Sequence, residues 1–166
     1  MNPVSYRKSI AADLHQIKFV TQEAYGQFNN LLSEENVKHW QSTLSNDATY
    51  LDLFSVATAF VAECRSEIVG VAFIVSHDNP YKWFDAAWSY IRLVGVLPGF
   101  EGKGIGKKLT QLCIDHAKEM GEKTVALHTS EFQHAARHIY ESLGFTKVKE
   151  FALFDKKYWV YTLQLS

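Results

Sequence analysis

The chain has 166 residues, a net charge of −1 at neutral pH, 47% hydrophobic and 21% charged residues. That length supports one apolar core without disulfide or metal staples, and the charge balance supplies no general attraction for nucleic acid. There is no charged-then-apolar leader and no apolar run near the roughly 18 residues of a membrane span, so a soluble cytoplasmic protein is expected.

Residues 4–8 read as a first strand. Leu14, Ile17, Thr21, Ala24, Tyr25 and Phe28 then recur at helical spacing, with Asp13 in the favourable first turn. Ser33 before Glu34 and Glu35 has the form of an N-cap, opening a second helix with Val37, Trp40 and Leu44. Residues 46–55 admit no single reading. Runs 58–64 and 68–76 are rich in β-formers and joined at 65–67, a hairpin. Residues 77–84, with Pro80, read as a loop, and 88–97 as a strand whose continuous apolar end suits a central position. The next helix carries Ile105, Leu109, Leu112, Cys113, Ala117 and Met120 on one stripe and stops at Gly121. A strand over 124–129, a helix over 135–143 closed by Gly144, and a hairpin of 146–154 with 158–165 about residues 155–157 complete the chain. No repeat, low-complexity tract or linker interrupts it, which predicts one mixed α/β domain over residues 1–166. Cys64 and Cys113 fall in apolar-periodic segments and read as reduced core thiols.

The stretch GFEGKGIGKKL, residues 99–109, places four glycines and three lysines between a strand and a helix. Glycine in regular structure costs about 0.5–1 kcal/mol relative to alanine, so close approach to the backbone is the natural reason for it. A nucleotide P-loop is excluded, because Glu101 stands where its first glycine belongs and Lys108 where its hydroxyl belongs. The dinucleotide fingerprint is excluded by the spacing Gly102-x-Gly104-x-Gly106 and by the turn's late place in the chain. What survives is an anion cradle: exposed amides before a helix, aided by Lys103, Lys107 and Lys108. A glycine-rich connector with a solvated lysine face is the alternative.

The order strand, Pro98, glycine turn, helix, strand and helix ending AARHIYESLGF (135–145) resembles the GNAT superfamily of N-acetyltransferases over essentially the whole chain. Its most specific parts are Val94-Gly-Val-Leu-Pro98, the turn at 99–106, and Ala136-x-x-x-Tyr140-Glu-Ser-Leu-Gly-Phe145. The resemblance implies a mostly antiparallel mixed sheet of about seven strands, splayed between the fourth and fifth, with about four helices. It implies acetyl-CoA as cosubstrate and no metal. The family's diphosphate motif, [Gln/Arg]-x-x-Gly-x-[Gly/Ala], falls on Glu101, Gly102, Lys103, Gly104, Ile105 and Gly106, with Lys107 beside it. Glu101 departs from that pattern; its carboxylate is expected to turn to solvent while its backbone serves the cofactor.

By the same resemblance, a bulge at Val94, Gly95 and Val96 frees backbone groups for the pantetheine arm, and an N–H near Val94 holds the oxyanion, a contact typically worth about 3–4 kcal/mol. Tyr140 matches the general acid for the thiolate, Gln133 the pantetheine-binding Asn of many relatives, and Ala136 lies on the same helix. Tyr90 and Arg92 occupy the strand where relatives often carry a Glu base. Arg92 reads as a clamp for a substrate carboxylate or as half of a structural ion pair. Glu34 and Glu35 read as base candidates or as first-turn helix acids. His134 and His138 have a metal-like spacing without a third ligand, and a solvated helix face is the better reading; His128 is a strand residue within reach of an acceptor. Tyr25, Phe28, Trp40, Trp83, Phe84 and Trp88 outnumber the places one core offers and point to a partly apolar acceptor pocket.

The expected activity is therefore acyl-CoA-dependent N-acyl transfer to a small amine or a peptide, with no nucleic-acid or membrane partner. A homodimer through the final hairpin is allowed. The alternatives are a non-catalytic acyl-CoA-binding module and a protein lysine or N-terminal acetyltransferase.

Overall fold

The computed structural model describes residues 2–166. Seven strands form one sheet: β1 (Ser5–Lys8), β2 (Ala57–Cys64), β3 (Glu67–Val75), β4 (Ser89–Val96), β5 (Thr124–Ser130), β6 (Thr146–Leu153) and β7 (Lys156–Gln164), in the spatial order β1-β2-β3-β4-β5-β7-β6. All neighbours are antiparallel except β4 and β5. Five helices accompany it, α1 (Leu14–Gly26), α2 (Glu34–Ser45), α3 (Asp47–Phe54), α4 (Ile105–Glu119) and α5 (His134–Ser142), one more than the four expected. None is long and apolar enough to cross a membrane among the described residues.

Both hairpin turns follow from two consecutive left-handed residues, the geometry that matches strand twist. Arg65 and Ser66 (φ 53° and 65°) join β2 to β3, and Phe154 and Asp155 (φ 53° and 60°) join β6 to β7. The second turn lies earlier than the expected 155–157, because Lys156 and Lys157 already pair with Leu153 and Ala152.

The segment without a single reading, 46–55, is α3. It is two turns long, started by the Asn46 side chain accepting from the Ala48 N–H at 3.0 Å, and buries only Tyr50 and Leu53. So short a helix cannot display a period in sequence. α2 starts as expected, with Ser33 Oγ accepting from the Asn36 N–H at 3.2 Å. Met120 was expected in the α4 stripe but is 65% exposed, because the chain reverses at Gly121 before the stripe returns to the core.

The sheet separates two apolar clusters. On one face α4 and α5 pack Ile105, Leu109, Cys113, Tyr140 and Phe145 against Ile91, Val125 and Leu127. On the other, α1 and α3 pack Ile17, Val20, Tyr50 and Leu53 against Val71, Phe73, Tyr90 and Ala126. β3 is buried from Ile68 to Val75, as a strand covered on both faces must be. Cys64 and Cys113 are free and buried.

Candidate active site

β4 and β5 pair only at Ser89–Val125 and Tyr90–Ala126, then part. From Ile91 to Val96 no strand completes β4 on its β5 side, and backbone groups there need other partners. A bulge accompanies the parting. β4 passes from Gly95 to Arg92 while β3 passes only from Val71 to Phe73, so Leu93 and Val94 have no partner in register. Leu93 sits at φ 51°, an uncommon place for a side-chain-bearing residue. The bulge was expected over Val94, Gly95 and Val96: Val94 lies in it, whereas Gly95 and Val96 stay in register opposite Val71 and Gly70. A Cβ on Gly95 would stand 3.2 Å from Ala24 Cβ, so glycine there lets α1 lie close against the strand.

β4 runs into the glycine turn. Gly102 and Gly104 have φ of 73° and 79°, and a Cβ on either would meet nothing within 4 Å. Backbone conformation, not crowding, requires glycine there. Among the described residues no protein acceptor meets the N–H groups of 101–107; the first satisfied amide is Lys108, donating to Gly104 C=O at 3.0 Å. These donors gather at the positive end of the 15-residue α4, whose first residue, Ile105, is anchored in the core. Glu101 is exposed, but its carboxylate does not turn away: it accepts from the Gly99 N–H at 2.6 Å and braces the turn. Lys103 Nζ lies 5.1 Å from the Phe100 ring centroid, and Lys107 is exposed.

α5 closes the same side of the seam. Tyr140 is 6% exposed, packs edge-on to Phe145, and its hydroxyl has no hydrogen-bond partner among the described residues. Burial, reinforced by Tyr25 and Cys113, holds its phenol well above the ordinary tyrosine range. Ala136 packs on the adjoining core. Gln133 has its carbonyl oxygen committed to the corner between β5 and α5, accepting from Ser130 N–H (3.0 Å), Ser130 Oγ (2.8 Å) and Thr129 Oγ1 (3.2 Å). Only its NH2 remains for a ligand. His134 and His138 are exposed on α5, and no cluster of three metal-binding side chains occurs among the described residues.

The opposite face of the seam is built from rings. Tyr81 stacks on Tyr90 at 5.7 Å and on His128 at 6.4 Å; Trp83 stacks on Phe151 at 3.8 Å, and Phe151 on Tyr158 at 5.5 Å. Phe84 packs on Tyr90, Phe28 on Phe132 and Tyr25 on Trp40. The Arg92 guanidinium lies 4.4 Å from the Tyr81 ring centroid. His128 Nδ1, Trp40 Nε1 and Asn29 Oδ1 are buried without partners. Burial, then Arg92 and Lys82, bring His128 down to about 4, so its imidazole is neutral at neutral pH. Burial also raises Tyr25, against the pull of Arg92. Tyr25 lies on α1 and Tyr140 on α5, on opposite faces of the sheet, and Tyr25 adds to the upward shift of Tyr140.

α2 reaches over this face to the β6–β7 turn, where Asn36 Nδ2 donates to Asp155 Oδ2 at 3.3 Å and His39 packs on Phe154. Glu34 and Glu35 stay in the exposed first turn of α2, and neither forms a hydrogen bond or ion pair with the ring cluster. Tyr81, Phe132, Phe151 and Tyr158 were not singled out from the sequence. Two clefts, of about 400 and 680 Å³, lie beside α3 and beside β1. Neither is lined by Tyr140, Arg92 or His128.

Comparison with known proteins bears on this arrangement. Mycothiol acetyltransferase of Thermomonospora curvata is 32% identical over 94 residues, 57% of this chain and 29% of that protein, so the chain spans less than a third of that relative. Among solved structures, the PaiA N-acetyltransferase of Thermoplasma acidophilum, in complex with coenzyme A, superposes with a TM-score of 0.79 over 98% of this chain and 99% of its own at 16% identity. YncA of Salmonella typhimurium, a putative acetyltransferase solved with acetyl-CoA, gives 0.77 over 99% and 95% at 20% identity. At such identities the superpositions establish the fold. The sequence model of the acetyltransferase (GNAT) family matches residues 25–145, most of the chain and both sides of the seam. On that match the protein belongs to the acetyltransferase (GNAT) family.

Proposed function

We propose that residues 1–166 act as one acyl-CoA-dependent N-acyltransferase domain, moving acetyl from acetyl-CoA to a primary amine of a small molecule or peptide. The observation that carries this reading is a pair of main-chain stretches without protein partners, the amides of 101–107 and the β5-facing edge of β4 beyond Tyr90, with Tyr140 in the core cluster on the α4 side of the same sheet. A diphosphate suits the amides of Glu101 to Gly106 at the helix end, with Lys107 adding charge. An amide-bearing arm suits the edge from Val94 to Val96, binding as an added strand. The NH2 of Gln133 and the methyl of Ala136 flank that arm.

Acetyl-CoA supplies an acetyl group activated as a thioester. The Val94 N–H, freed from the β3 ladder by the bulge, is the donor for charge gathering on the carbonyl oxygen. The amine nitrogen bonds to the carbonyl carbon as the carbon–sulfur bond breaks, and the electron pair leaves on sulfur. Tyr140 holds the proton that this sulfur takes, and a proton released by the amine restores the phenol. Burial keeps Tyr140 protonated, so the phenol is available as a donor, and the same burial raises the proton affinity of a thiolate beside it.

Tyr140→Phe is expected to lower kcat by about 10- to 1000-fold with little change in acetyl-CoA affinity. Equal turnover by the variant refutes the acid role. Calorimetry tests the binding path directly: no heat on titration with millimolar acetyl-CoA sinks the reading.

A further inference from the structure

The ring-lined face carries a charge with nothing to answer it. Arg92 is half-buried on β4, makes no hydrogen bond or ion pair among the described residues, and is held only against the face of Tyr81. A structural ion pair, one of the two readings open from sequence, is absent among the described residues. A half-buried guanidinium has five donors and strongly prefers a planar anion. Lys82 lies near the same rings, 5.9 Å from Tyr81 and 5.5 Å from Trp83. The groups that set the proton affinities of Tyr25, Tyr90 and His128 include Arg92, Lys82 and other tyrosines, and no carboxylate.

Asp155 accepts from Asn36, Glu131 from the Lys157 N–H, and Asp85 from the Ala87 N–H, and among the described residues no carboxylate pairs with Arg92 or Lys82. A polyamine would meet these two unpaired cations beside the rings. The walls of Tyr81, Trp83, Phe151 and Tyr158 offer flat apolar surface, and His128 Nδ1 and Trp40 Nε1 are buried polar atoms awaiting partners. Leaving such atoms unpaired is costly, and a polar ligand relieves that cost.

We infer that the acceptor is a primary amine that also carries a carboxylate and a planar apolar group, the chemistry of an aromatic amino acid. Arg92 receives the carboxylate, the rings of Tyr81 and Trp83 face the planar group, and the amine is left toward the unpaired Leu93–Val94 segment two residues along β4. This rests on the acyltransferase reading and adds its acceptor class. Arg92 contributes binding and orientation, and no proton.

The test is a thiol-release assay with acetyl-CoA and four acceptors: phenylalanine, phenethylamine (same ring and amine, no carboxylate), alanine (no ring) and spermidine. Phenylalanine is expected to exceed each of the others in kcat/KM by about tenfold or more. Arg92→Gln is expected to raise KM for phenylalanine by about 10- to 100-fold, much more than for phenethylamine. The variant's calorimetric acetyl-CoA affinity stays within about twofold, which shows that it is folded. Equal or better turnover of phenethylamine, alanine or spermidine overturns the inference, as does an unchanged phenylalanine KM in the variant. No turnover of phenylalanine with acetyl-CoA still bound also overturns it and leaves the binding path standing. Absence of acetyl-CoA binding defeats the acyltransferase reading itself, a different readout.

Discussion

The two sides of the seam are made of different material. On the α4 side lie main-chain amides at 101–107 without protein partners, set by backbone conformation. On the α1 side lie side chains, with rings from helices, the 81–84 loop and several strands near one unpaired guanidinium. A backbone cradle serves a ligand that never changes. A wall of side chains can be rewritten one residue at a time without disturbing the cradle, and on the proposed function acceptor specificity resides there.

That contrast can be broken first at Gly104. Gly104→Val leaves the space around the residue unchanged but forces a β-branched side chain into a left-handed backbone, and acetyl-CoA affinity is expected to fall by about 10- to 100-fold by calorimetry. Gly104→Asn, which tolerates that conformation, recovers most of the loss. If valine binds as well as glycine, the amide cradle is wrong. On the ring side, His128 is held near 4 in the folded chain against about 6.5 when unfolded. Between those values the unfolded chain takes up a proton that the folded one refuses, so stability falls as pH drops from about 6.5 to 4, by about 1–3 kcal/mol. Urea midpoints across this window should decline in the parent and decline less in His128→Asn. A residual slope is expected from His116, which burial also lowers. The smallest effect belongs to Glu101→Gln. Removing a carboxylate beside a diphosphate site should tighten acetyl-CoA by about two- to fivefold at low salt, fading as salt rises. Weaker binding would mean that the brace to the Gly99 N–H matters more than the charge.

The cradle was legible in sequence because glycine spacing and the strand-to-helix order are local facts. The strands and the α4 and α5 helices were legible for the same reason. The bulge was legible only in part: Val94 lies in it as expected, but Gly95 drew the assignment because glycine is a common sign of irregularity, whereas the distorted residue is Leu93 and the glycine answers Ala24 across the core. The rings were half legible. Tyr25, Phe28, Trp40, Trp83 and Phe84 join the wall, while Trp88 packs into the core on that face. Phe132, Phe151 and Tyr158 each look like ordinary apolar residues of their own elements. Only the spatial order β5-β7-β6 places Phe151 and Tyr158 beside His128, and Phe132, just after β5, meets the group through Tyr158. Arg92 was left between two readings because the absence of a partner is a property of space and not of sequence.

Because β4 leaves β5 partway along, this sheet has an inner border besides its rims at β1 and β6. The β6 rim is guarded by exposed Lys147 and Lys149, which discourage a neighbouring chain from docking there. The inner border has no such sentries and is protected by depth, with helices over both faces. On the proposed function the guest of that border is a slender thread carrying its own amides, not a second polypeptide strand.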